Sequence, residues 1–357
     1  MLQIKNYING VWCDANSGKT HDRTDPSDKS RVVGSFPVSD GTDAAKAIDA
    51  AHMAFAEWKE VSGPKRALCL QKAIENVKAS ADEIARVLSL EQGKPLREAK
   101  GEVGRGIEEM EYWAGEGCRI EGRHLPTAKE GAVCYTVREP IGVIGAITPW
   151  NFPMIPALRK MCPALVYGNT VVLKPASLTP FTAAAVVKCF ADAGFPDGVV
   201  NLVIGSGSSI GKVLSEDARV RGITLTGSNE VGRDIMDRAS KHSARLQLEM
   251  GGKNPAVVFE SADIELAASN ITARAFSCSG QLCVSISRVV VQESVAEKLI
   301  ELLKQKIEAL VVGPGFDEST TMGPMVSEGQ LATVLDYVAK GKAEGATVRH
   351  ISSRTVE

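Results

Sequence analysis

The sequence of 357 residues is poor in aromatic side chains, at 5%, and has no excess of charge of one sign. Its 41 Lys and Arg residues are balanced by 43 Asp and Glu residues, which gives a formal net charge of −2. This balance excludes a strongly basic nucleic-acid-binding protein and an acidic tail. We therefore expect a small molecule or another protein as the partner.

Long apolar runs and secretion signals are also missing. The most apolar region, residues 141–166, is interrupted by prolines and two basic residues, so it lacks the roughly 20 successive apolar residues that cross a bilayer. Residues 1–6 lack the basic stretch and apolar core of a secretory signal. These features predict a cytoplasmic protein with no membrane partner.

The cysteines lack a regular spacing. The eight cysteines include no Cys-x-x-Cys pair, and their spacing is irregular. Disulfide frameworks and zinc sites use paired cysteine spacings. The irregular spacing therefore favours a protein with reduced cysteines and no metal site.

The apolar pattern predicts an α/β fold. Asn9-Gly10 between β-forming residues predicts a hairpin over 7–13, and a helix follows behind a cap at Asp40 or Thr42. Short apolar strands then alternate with amphipathic helices, with strands at 142–148, 170–174, 199–204, 222–226 and 245–249 and helices at about 153–167, 181–193, 208–216 and 228–240. This alternation indicates a doubly wound, Rossmann-type parallel sheet, which binds ligands at the carboxyl ends of its strands.

A second unit begins near residue 250. Its predicted elements are strands at 255–259 and 287–292 and helices at 262–277, 294–310 and 327–343. This α/β unit has few sheet partners for its strands, so it is expected to be incomplete.

Two glycine-rich turns follow predicted strands of the first sheet. Residues 226–232 (TGSNEVG) follow one strand, and Gly205, Gly207 and Gly211 follow another. Glycines at such turns let backbone N–H groups approach a phosphate, whose charge the helix N-terminus favours. For either set alone, the glycines could instead be present only because the geometry of the turn requires them. Two such turns in one sheet favour nucleotide binding.

Lys174 ends a predicted strand, and Ser177 follows three residues later. In dinucleotide folds a carboxylate near such a strand end binds the ribose 2′-OH, whereas basic or small polar residues leave room for a 2′-phosphate. The pair therefore favours NADP. A solvated lysine at a strand end is the simpler interpretation when Lys174 is taken by itself.

Three residues are candidates for chemistry. Cys283 lies in a Gly-containing turn where a thiolate could be accessible, although most cysteines are buried small hydrophobes. Glu249 leaves a strand into a double-glycine turn, where partial desolvation would suit a general base; a surface carboxylate is the alternative. Asn151 is flanked by prolines and is either an oxyanion-stabilising amide or a helix cap.

Five motifs occur in order: residues 149–153 (PWNFP), 173–177 (LKPAS), 226–232 (TGSNEVG), 248–255 (LEMGGKNP) and 280–283 (GQLC). Together they closely resemble the aldehyde dehydrogenase superfamily, and the resemblance runs from about residue 7 to about residue 348. It implies an NAD(P)-binding domain over 1–120 and 139–249, an oligomerisation hairpin over 121–138 and a catalytic domain over 250–357. It also implies a homodimer or homotetramer.

The resemblance implies a mechanism in which Cys283 attacks an aldehyde and Asn151, with the Cys283 N–H, holds the oxygen of the hemithioacetal. Glu249 then activates the water that hydrolyses the thioester. NADP or NAD is the implied cofactor. The positions that match the family's cofactor site are Pro149, Trp150, Lys174, Ser177, Gly207, Gly211, Thr226, Gly227, Ser228, Gly232, Met250 and Gly251.

Within the superfamily the chain is most similar to NADP-accepting succinate-semialdehyde dehydrogenases. An arginine that matches Arg159 anchors the substrate carboxylate in that group, but Ser277 replaces a second arginine expected six residues before the nucleophile. Family members also continue well past the position that matches residue 348. We therefore expect a C-terminally truncated chain with an incomplete catalytic domain and impaired activity.

Two other functions remain open at this stage. A catalytically impaired remnant would bind nucleotide or play a structural role without turnover. A thiol hydrolase acting on esters would use Cys283 and Glu249 without any dinucleotide, which leaves the glycine turns unexplained.

Overall fold

The computed structural model describes residues 1–348, so the expectation for residues 349–357 lies outside the described part of the chain. Two units can be distinguished. Unit 1 consists of Met1–Asp22, Gly34–Ala85 and Lys100–Met250, and unit 2 consists of Arg23–Val33, Arg86–Ala99 and the chain from Gly251 onward. The two short segments of unit 2, at 23–33 and 86–99, differ from the sequence-based division, which assigned all of 1–120 to the first domain.

The strands are β1 (Leu2–Gln3), β2 (Asn6–Ile8), β3 (Val11–Cys13), β4 (Thr20–Asp25), β5 (Asp28–Pro37), β6 (His124–Leu125), β7 (Cys134–Tyr135), β8 (Val143–Ile147), β9 (Thr170–Lys174), β10 (Val200–Leu202), β11 (Val220–Thr226), β12 (Arg245–Glu249), β13 (Asn254–Val258) and β14 (Ile286–Val291). The α-helices are α1 (Gly41–Trp58), α2 (Gly63–Ala79), α3 (Ala81–Gln92), α4 (Leu96–Glu116), α5 (Ile155–Val166), α6 (Pro180–Ala191), α7 (Lys212–Glu216), α8 (Asn229–Ala239), α9 (Ile264–Phe276), α10 (Glu293–Glu308) and α11 (Glu328–Ala343). None of the helices in residues 1–348 combines the length and apolar character needed to cross a bilayer.

Unit 1 is built on a seven-stranded sheet in the order β12-β11-β8-β9-β10-β2-β3. The strands β8 to β12 are parallel, and the order reverses between β8 and β11, which is the switch point of a doubly wound sheet. The predicted hairpin is confirmed: β2 and β3 pair around Asn9 and Gly10, which both have positive φ. The doubly wound α/β class is therefore confirmed.

The core of unit 1 lies on both faces of this sheet. Every residue of β8, β9 and β10 is buried, as expected for parallel strands that helices cover on both sides. Apolar residues of α1, α7 and α8 pack together with Val143, Val172 and Ile223 on one face. At the start of α1, Asp40 forms the predicted cap together with Asp43 in a capping box.

Unit 2 contains a parallel pair, β13 and β14, joined through α9. Val258, Ile271 and Leu299 form a small core with α9 and α10 on one face of the pair. The opposite face is exposed among the described residues, where Val257 is 60% and Val290 56% accessible. The helix α11 has no buried residue in this part of the chain.

Two parts of the chain differ from the sequence prediction, and a third, the segment 121–138, has the expected antiparallel pairing. The helix expected over 208–216 is a π-helical turn at Gly207–Gly211 followed by the short α7, because two glycines weaken a regular helix there. The strands β4 and β5 were not predicted, because the polar residues of β4 (THDRTD) show no alternation of apolar and polar residues. The segment 121–138 forms a short antiparallel pair, β6 with β7, whose residues are all exposed.

Candidate active site

The candidate site residues fall in both units, and each set is described within its own unit. In unit 1, the motif around Asn151 follows β8 and precedes α5. The Asn151 Oδ1 accepts a hydrogen bond from the Phe152 N–H at 3.1 Å, and the residue is half-buried together with Pro149 and Trp150. The helix-cap interpretation of Asn151 is wrong, because the N-cap position of α5 is Met154.

The N-terminus of α5 is instead held by a residue that the sequence analysis missed. The buried Glu102 accepts a hydrogen bond from the Met154 N–H at 2.9 Å. A carboxylate at a helix N-terminus is favoured by the unpaired N–H groups and by the helix dipole. Glu102 therefore fixes the beginning of the helix that follows the Asn151 motif.

Lys174 ends β9 and is 5% exposed, so the interpretation as a solvated lysine is wrong. Its Nζ donates to the Pro175 carbonyl oxygen at 2.8 Å, and no ion pair involves Lys174 in residues 1–348. Burial lowers the pKa of Lys174 from 10.5 to about 8. The Ser177 hydroxyl donates to the Gly205 carbonyl at 3.0 Å. A buried ammonium without a carboxylate partner is a site that an anion would stabilise.

The turn after β11 begins α8. The Ser228 hydroxyl is the N-cap of α8 and accepts from the Val231 N–H at 3.3 Å, and the Gly227 N–H donates to the Glu249 carbonyl oxygen at 3.0 Å. A Cβ at Gly232 would clash with the Met250 Sδ, so a larger residue there would have to displace the Met250 side chain. Part of the turn is therefore structural.

The second glycine set differs in its surroundings. A Cβ would meet no atom within 4 Å at Gly207 and Gly211, whereas at Gly205 it would lie 2.6 Å from the Ser39 carbonyl oxygen. Gly205 thus permits a close backbone approach, and Gly207 and Gly211 face open space. Gly251, in unit 2, also faces open space.

Glu249 lies at the end of β12 and is exposed, which agrees with the surface-carboxylate alternative and not with a half-desolvated carboxyl group. It pairs in register with Thr226 of β11. The Thr226 hydroxyl accepts a hydrogen bond from Lys160 Nζ at 2.7 Å. Burial lowers the pKa of Lys160 from 10.5 to about 8, while the charge of Glu249 opposes this change. The carboxylate of Glu249 therefore favours the charged form of the buried Lys160.

Lys160 was missed by the sequence analysis. The available signal was its position inside the most apolar region, where a charged residue that the fold buries needs a polar partner. Its neighbour Arg159 is exposed and donates two hydrogen bonds to Glu109 Oε1, at 2.8 and 2.6 Å. The predicted substrate arginine is thus paired with an acid of unit 1.

In unit 2, Cys283 lies in an exposed turn between α9 and β14. The Ser285 N–H donates to the Leu282 carbonyl oxygen at 3.2 Å, which closes a four-residue β-turn with Cys283 at its second position. The Cys283 N–H has no hydrogen-bond partner among the described residues. Both the thiol and an N–H donor are therefore available to a carbonyl group.

The segment before this turn is strained and strongly held. Cys278, Ser279 and Gly280 have successive positive φ values of 48°, 58° and 73°, which is unfavourable for the first two. The Cys278 N–H donates to Glu98 Oε2 at 3.0 Å, and the Ser279 hydroxyl donates to the Gly323 carbonyl at 2.6 Å.

Two further side chains hold Cys278. The Gln281 Nε2 donates to its carbonyl at 3.0 Å, and Gln92 Nε2 contacts its Sγ at 3.3 Å. Burial raises the pKa of Glu98, although the Cys278 N–H, Lys94 and Arg97 act against this. These contacts tie the residues that lead to Cys283 to distant segments of unit 2.

The environments of the other cysteines differ from that of Cys283. Burial raises the pKa of Cys162 and Cys189, which makes both poor nucleophiles. Cys118 and Cys134 are exposed but lie outside the five motifs. No group of three or more His, Cys, Asp or Glu residues in residues 1–348 is arranged to hold a metal ion.

Comparison with known proteins identifies the family to which the chain belongs. The family model described as "Aldehyde dehydrogenase family" matches residues 12–355. The alpha-ketoglutaric semialdehyde dehydrogenase of Bacillus subtilis is 43% identical over 343 residues, 96% of this chain and 70% of that protein. The succinate-semialdehyde dehydrogenase (NADP(+)) GabD of Escherichia coli is 40% identical over 341 residues, with the same two shares.

Solved structures agree with this assignment. An NADP-dependent enzyme of E. coli superposes with a TM-score of 0.94 at 39% identity, covering 96% of this chain and 71% of that one. An NAD-dependent aldehyde dehydrogenase from Sinorhizobium meliloti gives a TM-score of 0.94 at 37% identity, covering 96% and 69%. The chain therefore belongs to the aldehyde dehydrogenase family of oxidoreductases, which oxidise aldehydes.

Proposed function

We propose that the chain oxidises a semialdehyde, an aldehyde with a carboxylate at its other end, to the dicarboxylic acid, with NADP or NAD as the oxidant. The observation that carries the proposal is the exposed Cys283 thiol next to its unpartnered N–H, in a chain similar to semialdehyde dehydrogenases. A thiol beside a free N–H donor is the arrangement that carbonyl addition needs.

In this proposal the Cys283 thiolate adds to the aldehyde carbon. The Cys283 N–H and the Asn151 amide hold the oxygen of the thiohemiacetal, whose negative charge they stabilise. Bound nicotinamide supplies the chemistry of a hydride acceptor. Glu249 removes a proton from the water that attacks the resulting thioester, and Cys283 leaves as the thiolate. With a pKa of about 8, Lys160 is suited to exchange a proton beside Glu249.

The residues of unit 1 fit a dinucleotide. The buried, unpaired charge of Lys174 would be satisfied by a phosphate or ribose oxygen, and Ser177 leaves room for a 2′-phosphate. This favours NADP over NAD. The other residues proposed to contact the dinucleotide are Pro149, Trp150, Gly207, Gly211, Thr226, Gly227, Ser228, Gly232, Met250 and Gly251.

Arg159 is the proposed anchor for the substrate carboxylate. Because Arg159 pairs with Glu109, a substrate carboxylate has to compete with this acid. Glu109→Gln should therefore lower the KM for a semialdehyde, whereas Arg159→Ala should raise it. We also propose that the exposed β6–β7 hairpin takes part in a homodimer or homotetramer.

The test is aldehyde-dependent formation of NADPH, measured with succinate semialdehyde and with butanal, a neutral aldehyde of the same chain length. We expect kcat/KM to be about 10- to 100-fold higher for the acid, since a charge-assisted hydrogen bond contributes roughly 1.5–3 kcal/mol. Arg159→Ala should remove this preference, and Arg159→Lys should retain part of it.

Cys283→Ser should abolish turnover with both aldehydes, and Cys118→Ser, which changes another exposed thiol, should leave turnover unchanged. Equal use of the two aldehydes, together with no loss in Arg159→Ala, would remove the semialdehyde proposal. Turnover that survives in Cys283→Ser would remove the mechanism.

A further inference from the structure

The turn that presents Cys283 is held by a residue outside the proposed catalytic set. Asn254, the first residue of β13, donates from its side-chain Nδ2 to the Cys283 carbonyl oxygen at 2.7 Å and to the Ser285 carbonyl oxygen at 3.1 Å. An amide nitrogen has two hydrogens, so it can serve both acceptors at once. Both bonds lie within unit 2.

These bonds complete the control of the Cys283 backbone. The direction of its Cβ depends on the two peptide planes that flank its Cα. The plane before Cys283 is held because the Leu282 carbonyl accepts the Ser285 N–H in the turn. The plane after Cys283 is the central peptide of the turn, which can rotate without breaking that bond, and type I and type II turns differ in this rotation. Asn254 is the group that holds this second plane.

The local sequence explains why Asn254 can reach the turn. Asn254 pairs with Ile286, but Pro255 pairs with Arg288, so Ser287 is an extra residue in β14. Proline has no N–H to donate to a neighbouring strand, and a bulge accommodates it. The bulge shifts the register of the two strands beside the Cys283 turn.

We propose that Asn254 is a positioning residue whose amide fixes the central peptide of the 282–285 turn and thereby aims the Cys283 thiol and the Cys283 N–H at the same carbonyl group. The inference rests on the proposed function, in which Cys283 is the nucleophile. It predicts that Asn254 affects reactions that need an oriented oxyanion and leaves simple thiol reactivity unchanged.

Val284 limits the size of the effect. A type II turn requires positive φ at the position of Val284, which is unfavourable for a β-branched residue. Loss of the amide in Asn254→Ala should therefore loosen the central peptide without flipping it. The rate of reactions that form an oxyanion at Cys283 should fall about 10-fold. Asn254→Asp should lose more, because a carboxylate would face two carbonyl oxygens.

The test compares two reactions of the same thiol in the full chain. In acylation by 4-nitrophenyl acetate, the Cys283 thiolate adds to the ester carbonyl, a C–S bond forms, and the C–O bond to the leaving 4-nitrophenolate breaks. In alkylation by iodoacetamide, the thiolate displaces iodide and no oxyanion forms. Peptide mass spectrometry measures both rates at Cys283, with Cys118 and Cys134 as references in the same molecule.

We expect the ratio of acylation to alkylation at Cys283 to fall about 10-fold in Asn254→Ala and further in Asn254→Asp, with alkylation itself within twofold of wild type. Asn270→Asp adds the same charge on an exposed position of α9 and should leave the ratio unchanged. Asn254→Ser, which keeps one donor, should give an intermediate ratio. Thermal unfolding of each variant identifies any loss of fold.

A double-mutant cycle provides the second arm. Val284→Gly alone should have little effect, because the Asn254 amide still holds the peptide. Combined with Asn254→Ala it should lower the ratio by more than the product of the two single effects, because nothing then opposes the rotation.

Each remaining outcome is decisive. Ratios within twofold of wild type in folded Asn254→Ala and Asn254→Asp would overturn the positioning role alone. If the ratio of acylation to alkylation at Cys283 of the wild-type chain is no higher than at Cys118 and Cys134, the assignment of Cys283 as the nucleophile fails. The inference about Asn254 then fails with it. Strictly multiplicative effects in the cycle would contradict control of the central peptide.

Discussion

The parallel strands of the two units have similarly apolar sequences but differ in burial. In unit 1, β9 (TVVLK) is buried at every position, whereas in unit 2, β14 (ISRVVV) has no fully buried residue. Uninterrupted β-branched runs are typical of strands covered on both faces. In the described residues of unit 2, α9 and α10 cover only one face, so Val257 and Val290 are exposed.

The difference shows that an apolar run reports the potential for burial and not the burial itself. Unit 1 uses its interior to hold charged groups, Lys160 and Lys174, in defined places. Unit 2 holds Cys283 by hydrogen bonds from side chains such as Asn254, at the edge of a small core. The two units therefore hold these side chains by different means, burial in one and polar anchoring in the other.

The largest expected effect concerns Glu249, the proposed general base in unit 1. Glu249→Gln should lower kcat for aldehyde oxidation by about 10²- to 10⁴-fold, because an amide cannot accept the proton of the attacking water. Glu75→Gln, on an exposed position of α2, is the matched control and should leave kcat unchanged. A kcat for Glu249→Gln within threefold of wild type would assign the base to another residue.

The next largest effect is expected on removal of Lys174, a buried charge in unit 1. Lys174→Met should raise the free energy of unfolding at pH 7 by an amount on the order of 3 kcal/mol, the penalty that a pKa of about 8 implies. Below pH 8 the lysine is charged in the folded and in the unfolded chain, but only in the folded chain is this charge buried, at a cost in stability. Between pH 8 and 10.5 the unfolded chain binds more protons, so wild-type stability rises with pH and the gain of the variant shrinks.

Urea unfolding at pH 7 and pH 10 measures this gain, and calorimetry should show weaker NADP binding by the same variant. Lys188→Met removes an exposed lysine that pairs with Asp192, so its stability should change by less than about 1 kcal/mol. Destabilisation of Lys174→Met at both pH values would contradict an unpaired buried charge.

The smallest effects come from one substitution made in both sheets. Val172→Thr in β9 buries a hydroxyl at a fully buried position and should cost about 1–3 kcal/mol. Val290→Thr in β14 places the hydroxyl on the exposed face, and stability should stay within about 0.5 kcal/mol of wild type. Urea unfolding of the two variants measures the contrast, and equal costs would mean that the faces do not differ as described.

Much of the fold could be predicted from the sequence because the signals are local. The Asn9-Gly10 turn and the short apolar strands of unit 1 each carry their own pattern, and the structure has them. The strand β4 was missed because its polar residues carry no alternation. The short segments at 23–33 and 86–99 join unit 2 through contacts that are distant in sequence, which no local pattern reports.

The candidate site could be predicted only in part. The motifs around Asn151, Glu249 and Cys283 were visible, but the buried partners Glu102 and Lys160 were not, because a charged residue in a helix is usually on the solvent face. The sequence left two environments open for Glu249, half-burial or the surface, and the structure has the exposed one. Burial of a polar group depends on tertiary contacts and not on its immediate neighbours.

The central claim is that Cys283 forms the covalent bond to the substrate carbon. Glu249→Gln should slow hydrolysis of the thioester, so the acyl group should accumulate on the protein when succinate semialdehyde and NADP are supplied. Mass mapping of the digested chain should then find the succinyl group on the peptide that contains Cys283. An unmodified Cys283, or an acyl group on another cysteine, would contradict the account.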